Sequence, residues 1–437
     1  MKPLYIYEDE EVLYFSSEIK AILSLDGVDR SLDQKGFQDY ITFRYVHAPN
    51  TLFKNIKKLE AGHYVEIKNG TLRKVKYWDI EYNPKLSRSS EAELKTQILD
   101  TLDSIIQSQL MGEVPVGVLL SGGLDSSTIA YFIHKNKANL TTFNIGYPEV
   151  NEFEYSRFVS EKLGLKHVEV LTTTDEFVND FDKILLALDE PIGDPACFPL
   201  YKLCEELKKH VTVVLSGEGG DEIFCGYPQY LRLVNSGVKN NSSFVDFLKQ
   251  SQYCVYSRKF FRDEFDAELI NRYKMYFDDN SLINGMMGYD LKTWVPEDLM
   301  MKADKIMMAH SLEGRFPFLD KRIIQLAANI PEAYKMSAGI TKRILKEAMT
   351  PFLTKTIVNR QKMGFTVPVP VLLTKMRTRV LDTFFSTDTS NFLSNILDMD
   401  SVRSIAADYY SRGQGSPTLV WTMFILLSWF DIVYGRL

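Results

Sequence analysis

Cysteine and histidine are scarce in this 437-residue sequence, with four and six copies. Cys197, Cys204, Cys225 and Cys254 lack CxxC spacing and the histidines do not cluster, so a paired-cysteine zinc or redox centre is excluded. So few scattered thiols fit a reducing compartment, and a cytoplasmic location is expected. No long basic run occurs, and 51 Lys plus Arg against 57 Asp plus Glu leave a net charge of -6. A nucleic-acid partner is therefore not expected. The first residues, MKPLYIYEDEEV, lack the basic and apolar regions of a signal peptide. The most apolar stretch, Leu419 to Tyr434, is interrupted by Thr422, Ser428 and Asp431. It is shorter than the roughly 18 residues a bilayer crossing needs, so a buried terminal helix is expected and no membrane span. What is abundant is core material: 45% of residues are hydrophobic, and the length suggests roughly two or three domains.

Residues 1 to about 80 carry alternating runs such as LYIYED, VLYFSSE and HYVEIKNGTLRKVKYW, which have the two-residue period of antiparallel strands. Asn69-Gly70, between VEIK and TLRKVKYW, marks a hairpin turn. The polar stretch NPKLSRSSE (83–91) reads as a linker, and Ser90 with Glu93 forms a capping-box pattern for the helix after it. Then the pattern becomes strand, helix, strand. GVLL (117–120) precedes a helix at 125–135, TTFNIGY (141–147) one at 152–163, and HVEVL (167–171) one at 174–188; VTVVLS (211–216) closes the series. Continuous apolar strands separated by helices predict a parallel sheet covered on both faces, the mark of an α/β fold. Beyond about residue 230 the chain reads as helical to its end.

Two strand ends share a grammar: GVLL-SGGLDSS and TVVL-SGEGGDE. Glycines let an anion approach the main chain, and the freed N–H groups at the start of the next helix form an anion site. Ser121, Ser126 and Ser127 add hydroxyl donors. Asp125 and Asp221 would repel phosphate there unless a cation reverses the field, and magnesium does so with one or two carboxylates plus phosphate oxygens. Taken singly, Asp125 is equally a helix cap and SGG a turn; the pair of motifs in one sheet favours the site. No Gly-Lys-Ser/Thr follows, which disfavours a Walker-type kinase or GTPase.

SGGLDSS resembles the pyrophosphate loop of the N-type ATP pyrophosphatases. The ordered series SGGLDSS, DEPIGDP (189–195), SGEGGDEIFCGY (216–227), LEGRFPFLD (312–320) and NRQKMGFTVP (359–368) resembles the synthetase domain of glutamine-dependent asparagine synthetases. The resemblance implies an adenine nucleotide alpha-hydrolase-like α/β domain with a helical C-terminal part at 90–437. It also implies a mainly β, partial glutaminase-type domain at 1–82. Ser121, Gly122, Gly123, Asp125 and Ser126 would hold the ATP triphosphate and then pyrophosphate. Leu120, Ile145, Ser216 and Gly217 would meet adenosine, and Asp125 and Asp221 would bind magnesium. Lys342, in TKRILKEAM, would face the α-phosphate. Glu218 would hold ammonium and take its proton, and Lys302, Asp304, Glu313 and Arg315 fall in the acceptor stretch. For Arg315, a carboxylate clamp and a salt bridge to Glu313 or Asp320 are both open. His167 and His310 are expected to be structural.

The implied reaction adenylates the side-chain carboxylate of aspartate and transfers ammonia to it, giving asparagine, AMP and pyrophosphate. Two other readings stay open: an adenylating lactam or amide synthetase with another acceptor, and a non-catalytic subunit. The resemblance breaks at the beginning, where the family's glutaminase carries a nucleophilic cysteine and this chain has Lys2. Glutamine hydrolysis by this chain alone is not expected. A partial sheet domain should leave an edge and an apolar face uncovered, so a separately encoded glutaminase subunit or the use of free ammonia is anticipated. The oligomeric state is open, a homodimer included.

Overall fold

The computed structural model describes residues 2–81, 89–112, 114–136, 140–238, 243, 260, 282–361 and 367–436. Cys254, most of the linker at 83–91 and residues 362–366 of NRQKMGFTVP lie outside them. The N-terminal region holds an antiparallel sheet in which β1 (Tyr5–Glu8) pairs with β2 (Leu13–Ser16) on one side and β3 (Ile56–Lys58) on the other. A separate hairpin joins β4 (His63–Lys68) to β5 (Thr71–Lys76). Its turn is the expected Asn69-Gly70, with both residues at positive φ, 51° and 74°, as a tight two-residue turn demands.

Two short helices, Ile19–Leu23 and Gln34–Phe43, interrupt what reads in sequence as strands alone. The second starts where the Asp33 side chain accepts from the Lys35 amide, and Phe37, Tyr40 and Ile41 put its apolar face inward. β2 is the outer strand of its sheet, and Phe15 on it is 68% exposed. The hairpin also exposes Tyr64, Ile67 and Tyr77.

The larger sheet has five parallel strands in the order β10-β9-β6-β7-β8. They are β6 (Val116–Leu119), β7 (Thr141–Gly146), β8 (Lys166–Leu171), β9 (Val213–Leu215) and β10 (Glu313–Arg315). The chain runs outward from β6 to β8, then returns to place β9 on the other side of β6. The strand order thus reverses between β6 and β9, and ligands of open α/β sheets collect at such a point, outside the strands' carboxyl ends. β10, in LEGRFP, corrects the expectation of an all-helical second half. Three residues are too short for a periodic signal, and pairing with Val213–Leu215 is what makes them a strand.

Helices flank the sheet: Glu91–Gln109 with its Ser90/Glu93 capping box, Leu124–Asn136, Phe153–Lys162, Thr174–Leu188 and Cys197–Leu207. The terminal apolar segment is the helix Pro417–Ile432, buried on nearly every side. It stacks Phe424 on Phe181 at 5.0 Å and Phe430 on Phe37 at 5.8 Å, while the Tyr40 hydroxyl donates to the Thr422 carbonyl at 3.0 Å. Each such large side chain contributes about 1.5–3 kcal/mol by leaving water. One helix therefore joins the N-terminal region to the layer beside the sheet. Among the described residues no helix is long and apolar enough to cross a membrane.

Candidate active site

SGGLDSS follows β6 and SGEGGDE follows β9, so the two glycine-rich motifs meet at the reversal of strand order. In the first, Gly122 turns the chain at φ 72°, and a Cβ there would lie 2.5 Å from the Tyr155 backbone. Ser121 Oγ accepts from the Gly123 amide at 3.3 Å and sits 3.1 Å from Ser126 Oγ, which donates to the Gly123 carbonyl at 3.2 Å. Helix Leu124–Asn136 starts there, so its first amides lie beside the Ser121 and Ser126 hydroxyls, an arrangement suited to an anion, while Ser127 is fully buried. Arg360 braces this loop from below, donating to the Ser121 carbonyl at 3.0 Å, pairing with Glu152 and stacking 3.9 Å over Tyr155.

The motifs pack into each other because glycine leaves room for carboxylates. A Cβ on Gly220 would lie 2.6 Å from Asp125 Oδ1, and one on Gly226 would lie 1.8 Å from Asp221 Oδ1. Lys342, at φ 51° just before helix Arg343–Met349, points its ammonium between the two carboxylates. It bonds Asp125, and reaches Asp221 Oδ1 at 2.5 Å. Burial alone would lower its pKa, but the charges of Asp125 and Asp221 outweigh that and hold it raised. Leu120, Ile145 and Ser216 are buried, and a Cβ on Gly217 would lie 2.8 Å from the Ser126 amide nitrogen. The Leu120 amide is tied to the Phe143 carbonyl (2.8 Å), and Ser216 to that of Arg315 (3.0 Å).

A second cluster lies toward helix Met301–Ala309. Lys302 Nζ is 2.5 Å from Asp194 Oδ2, and Trp294 donates to Asp298 Oδ2 at 2.7 Å. Burial lowers the Lys302 pKa, yet Asp194, Asp298 and Glu218 raise it overall. Burial, with the charge of Asp194, pushes Asp298 up to about 6. Glu218, half-buried, thus acts on Lys302, and the expected site residues divide into a Lys342 group and a Lys302 group. Asp304 pairs with Lys2. Arg315 takes the salt-bridge alternative: Nε meets Glu313 at 2.7 Å and another nitrogen meets the Gln109 carbonyl. His167 is held by Thr142 (2.8 Å) and Ser156 (3.0 Å), and His310 by the Ile306 carbonyl (2.9 Å), as structural histidines are.

Arg360 and Asp194 were not singled out from sequence, although both lie in quoted motifs, NRQKMGFTVP and DEPIGDP. Asp298 lies in no motif. Among the described residues no group of three or more His, Cys, Asp and Glu could hold a metal. A magnesium ion needs only one or two carboxylates when phosphate oxygens complete its shell. Asp125 and Asp221 already share one cationic group, so this donor pair suits a cation.

A parallel sheet with an anion loop and a paired-carboxylate cation cluster at its order reversal defines a nucleotide-handling α/β enzyme. The profile described as asparagine synthase matches residues 97–431, and that described as a glutamine amidotransferase domain matches residues 1–78. Asparagine synthetase [glutamine-hydrolyzing] 1 of Bacillus subtilis is 30% identical over 474 residues, covering 99% of this chain and 74% of that protein. Asparagine synthetase [glutamine-hydrolyzing] 3 of the same organism is 28% identical over 397 residues, 84% of this chain and 63% of its own length. The chain belongs to the asparagine synthetase family, and is an ATP-dependent ligase that forms amide bonds.

Proposed function

We propose that the chain adenylates the side-chain carboxylate of aspartate and transfers ammonia to it. The observation that carries this reading is the convergence of both glycine-rich strand ends on Lys342. A carboxylate cannot expel oxide, so its oxygen must first become a phosphate ester. In the first step the aspartate oxygen attacks the α-phosphorus of ATP and pyrophosphate leaves. In the second, ammonia attacks the activated carbonyl and AMP leaves.

Within this reading Ser121, Gly122, Gly123 and Ser126 grip the triphosphate and then pyrophosphate through amides and hydroxyls. Leu120, Ile145, Ser216 and Gly217 seat adenosine. Lys342 supplies positive charge where the pentavalent phosphorus gathers negative charge. Asp125 and Asp221 would hold magnesium, which when bound neutralises phosphate charge and polarises a phosphoryl oxygen. Glu218 orients ammonia and takes its proton, and Lys302 steadies the acceptor's carboxylates. The functional units are 1–82 and 90–437, and ammonia is the nitrogen nucleophile at the second of them.

Purified chain with ATP, magnesium, aspartate and ammonium should yield equal AMP, pyrophosphate and asparagine, with none after chelation of the metal. Pyrophosphate release that does not depend on aspartate would sink the substrate assignment, and no release with any acceptor would favour a non-catalytic subunit.

A further inference from the structure

Arg360, from NRQKMGFTVP, lies against the underside of the SGGLDSS loop although 239 residues separate it from Ser121 in sequence. One terminal guanidinium nitrogen donates to the Ser121 carbonyl at 3.0 Å, the other pairs with Glu152, and the central carbon lies 3.9 Å from the centre of the Tyr155 ring. Tyr155 also backs Gly122, where an added Cβ would come within 2.5 Å of the Tyr155 carbonyl carbon. Glu152 precedes helix Phe153–Lys162, and its carbonyl accepts from the amides of Tyr155 (3.1 Å) and Ser156 (3.2 Å), so the support is itself fixed. The Arg360 side chain is 8% exposed, both its terminal nitrogens are engaged by protein groups, and Glu152 matches its charge. That arrangement suits a brace rather than a phosphate ligand.

In a trans peptide the carbonyl of one residue and the amide of the next point in opposite directions. Holding the Ser121 carbonyl on Arg360 therefore aims the Gly122 amide at the opposite face of the loop. Gly122 stands at φ 72°, and glycine adopts either sign of φ at little cost, so this peptide carries no side-chain barrier of its own against turning over. A turned peptide would present a carbonyl oxygen where an anion needs an N–H. We propose that Arg360 is a positioning residue of the anion loop, which by fixing the Ser121 carbonyl keeps the Gly122 amide turned toward pyrophosphate. The role rests on SGGLDSS gripping pyrophosphate, as proposed above, and adds the residue that sets the orientation of the grip. Glu152 and the Tyr155 ring in turn hold the guanidinium in its plane.

Calorimetric titration of the full chain with magnesium pyrophosphate, and separately with AMP, tests this in the wild type, Arg360→Gln, Arg360→Lys and Tyr155→Leu. Arg360→Gln should weaken pyrophosphate binding roughly 10- to 100-fold, the scale of an ångström's misplacement, while AMP binding stays within about twofold. Arg360→Lys keeps a donor for the Ser121 carbonyl but not the flat fork that also holds Glu152, and should recover part of the loss. Tyr155→Leu leaves both bonds and removes the ring, so it should weaken pyrophosphate about threefold, and it decides the matter if Arg360→Gln does not fold.

Pyrophosphate affinity that stays at the wild-type value in these variants, or that falls together with AMP affinity, overturns the proposal. A wild type that binds no pyrophosphate removes the reading of the loop as a grip, and the role of Arg360 with it. A wild type that binds pyrophosphate no more tightly than Arg360→Gln leaves the grip standing and removes Arg360 alone.

Discussion

Lys342 and Lys302 are both buried, both paired with carboxylates and both held in the charged form, but they are assembled differently. Lys342 meets Asp125 and Asp221, which stand at the ends of adjacent strands β6 and β9 inside repeated glycine-rich motifs. Lys302 meets Asp194, 108 residues away in sequence, and is also influenced by Asp298 and Glu218, so the group draws on three segments of chain. The first cluster is a local product of the sheet. The second exists only because separate parts of the molecule pack together. A local cluster announces itself as a motif, whereas a packed one has no signature in any single stretch.

The largest test of the contrast is Lys342→Ala. It leaves two carboxylates without their shared cation, and kcat for pyrophosphate release should fall on the order of 10³-fold. Glu218→Gln should cost roughly 10²-fold in ammonium-dependent turnover, while isotope exchange between pyrophosphate and ATP, which reads the first step alone, persists. Gly226→Ala would put a Cβ 1.8 Å from Asp221 Oδ1 and 2.1 Å from Lys342 Cε. It should lower stability by about 1–3 kcal/mol in urea denaturation and reduce activity, with the Lys302 group undisturbed.

The smallest effect belongs to a third lysine that sharpens the comparison. Lys335 is fully buried beside Asn284 Oδ1 (3.0 Å) and Met287 Sδ (3.3 Å) rather than between two carboxylates, and burial lowers its pKa to about 8. The unfolded chain holds this proton up to roughly pH 10.4, so wild-type stability should rise with pH above about 8. Lys335→Met should lose that rise and gain about 1–2 kcal/mol at pH 7, read by urea denaturation at pH 7 and 9.5.

Elements with a long period were legible in advance. Helix Thr174–Leu188 lies where the alternation of strands and helices put it, and the Asn69-Gly70 hairpin follows from its turn chemistry. The four strands from β6 to β9 follow from continuous apolar runs. Helix Gln34–Phe43 was hidden because it interrupts strand-like runs, and β10 because pairing alone defines it. Arg360 and Asp194 stood inside visible motifs, but which groups they would brace depended on contacts more than 100 residues away in sequence.

From its sequence alone the chain declared an α/β sheet, two glycine-rich strand ends, a carboxylate in each of them and membership in the asparagine synthetase family. Those properties live in stretches of seven to twelve residues, where backbone conformation and side-chain type follow from neighbours in sequence. Tertiary structure decided that Lys342 bridges Asp125 and Asp221, that Arg315 is spent on Glu313, and that Lys302 pairs with Asp194. The physical reason is range: a charge buried away from water acts over several ångströms of space, whatever the distance along the chain.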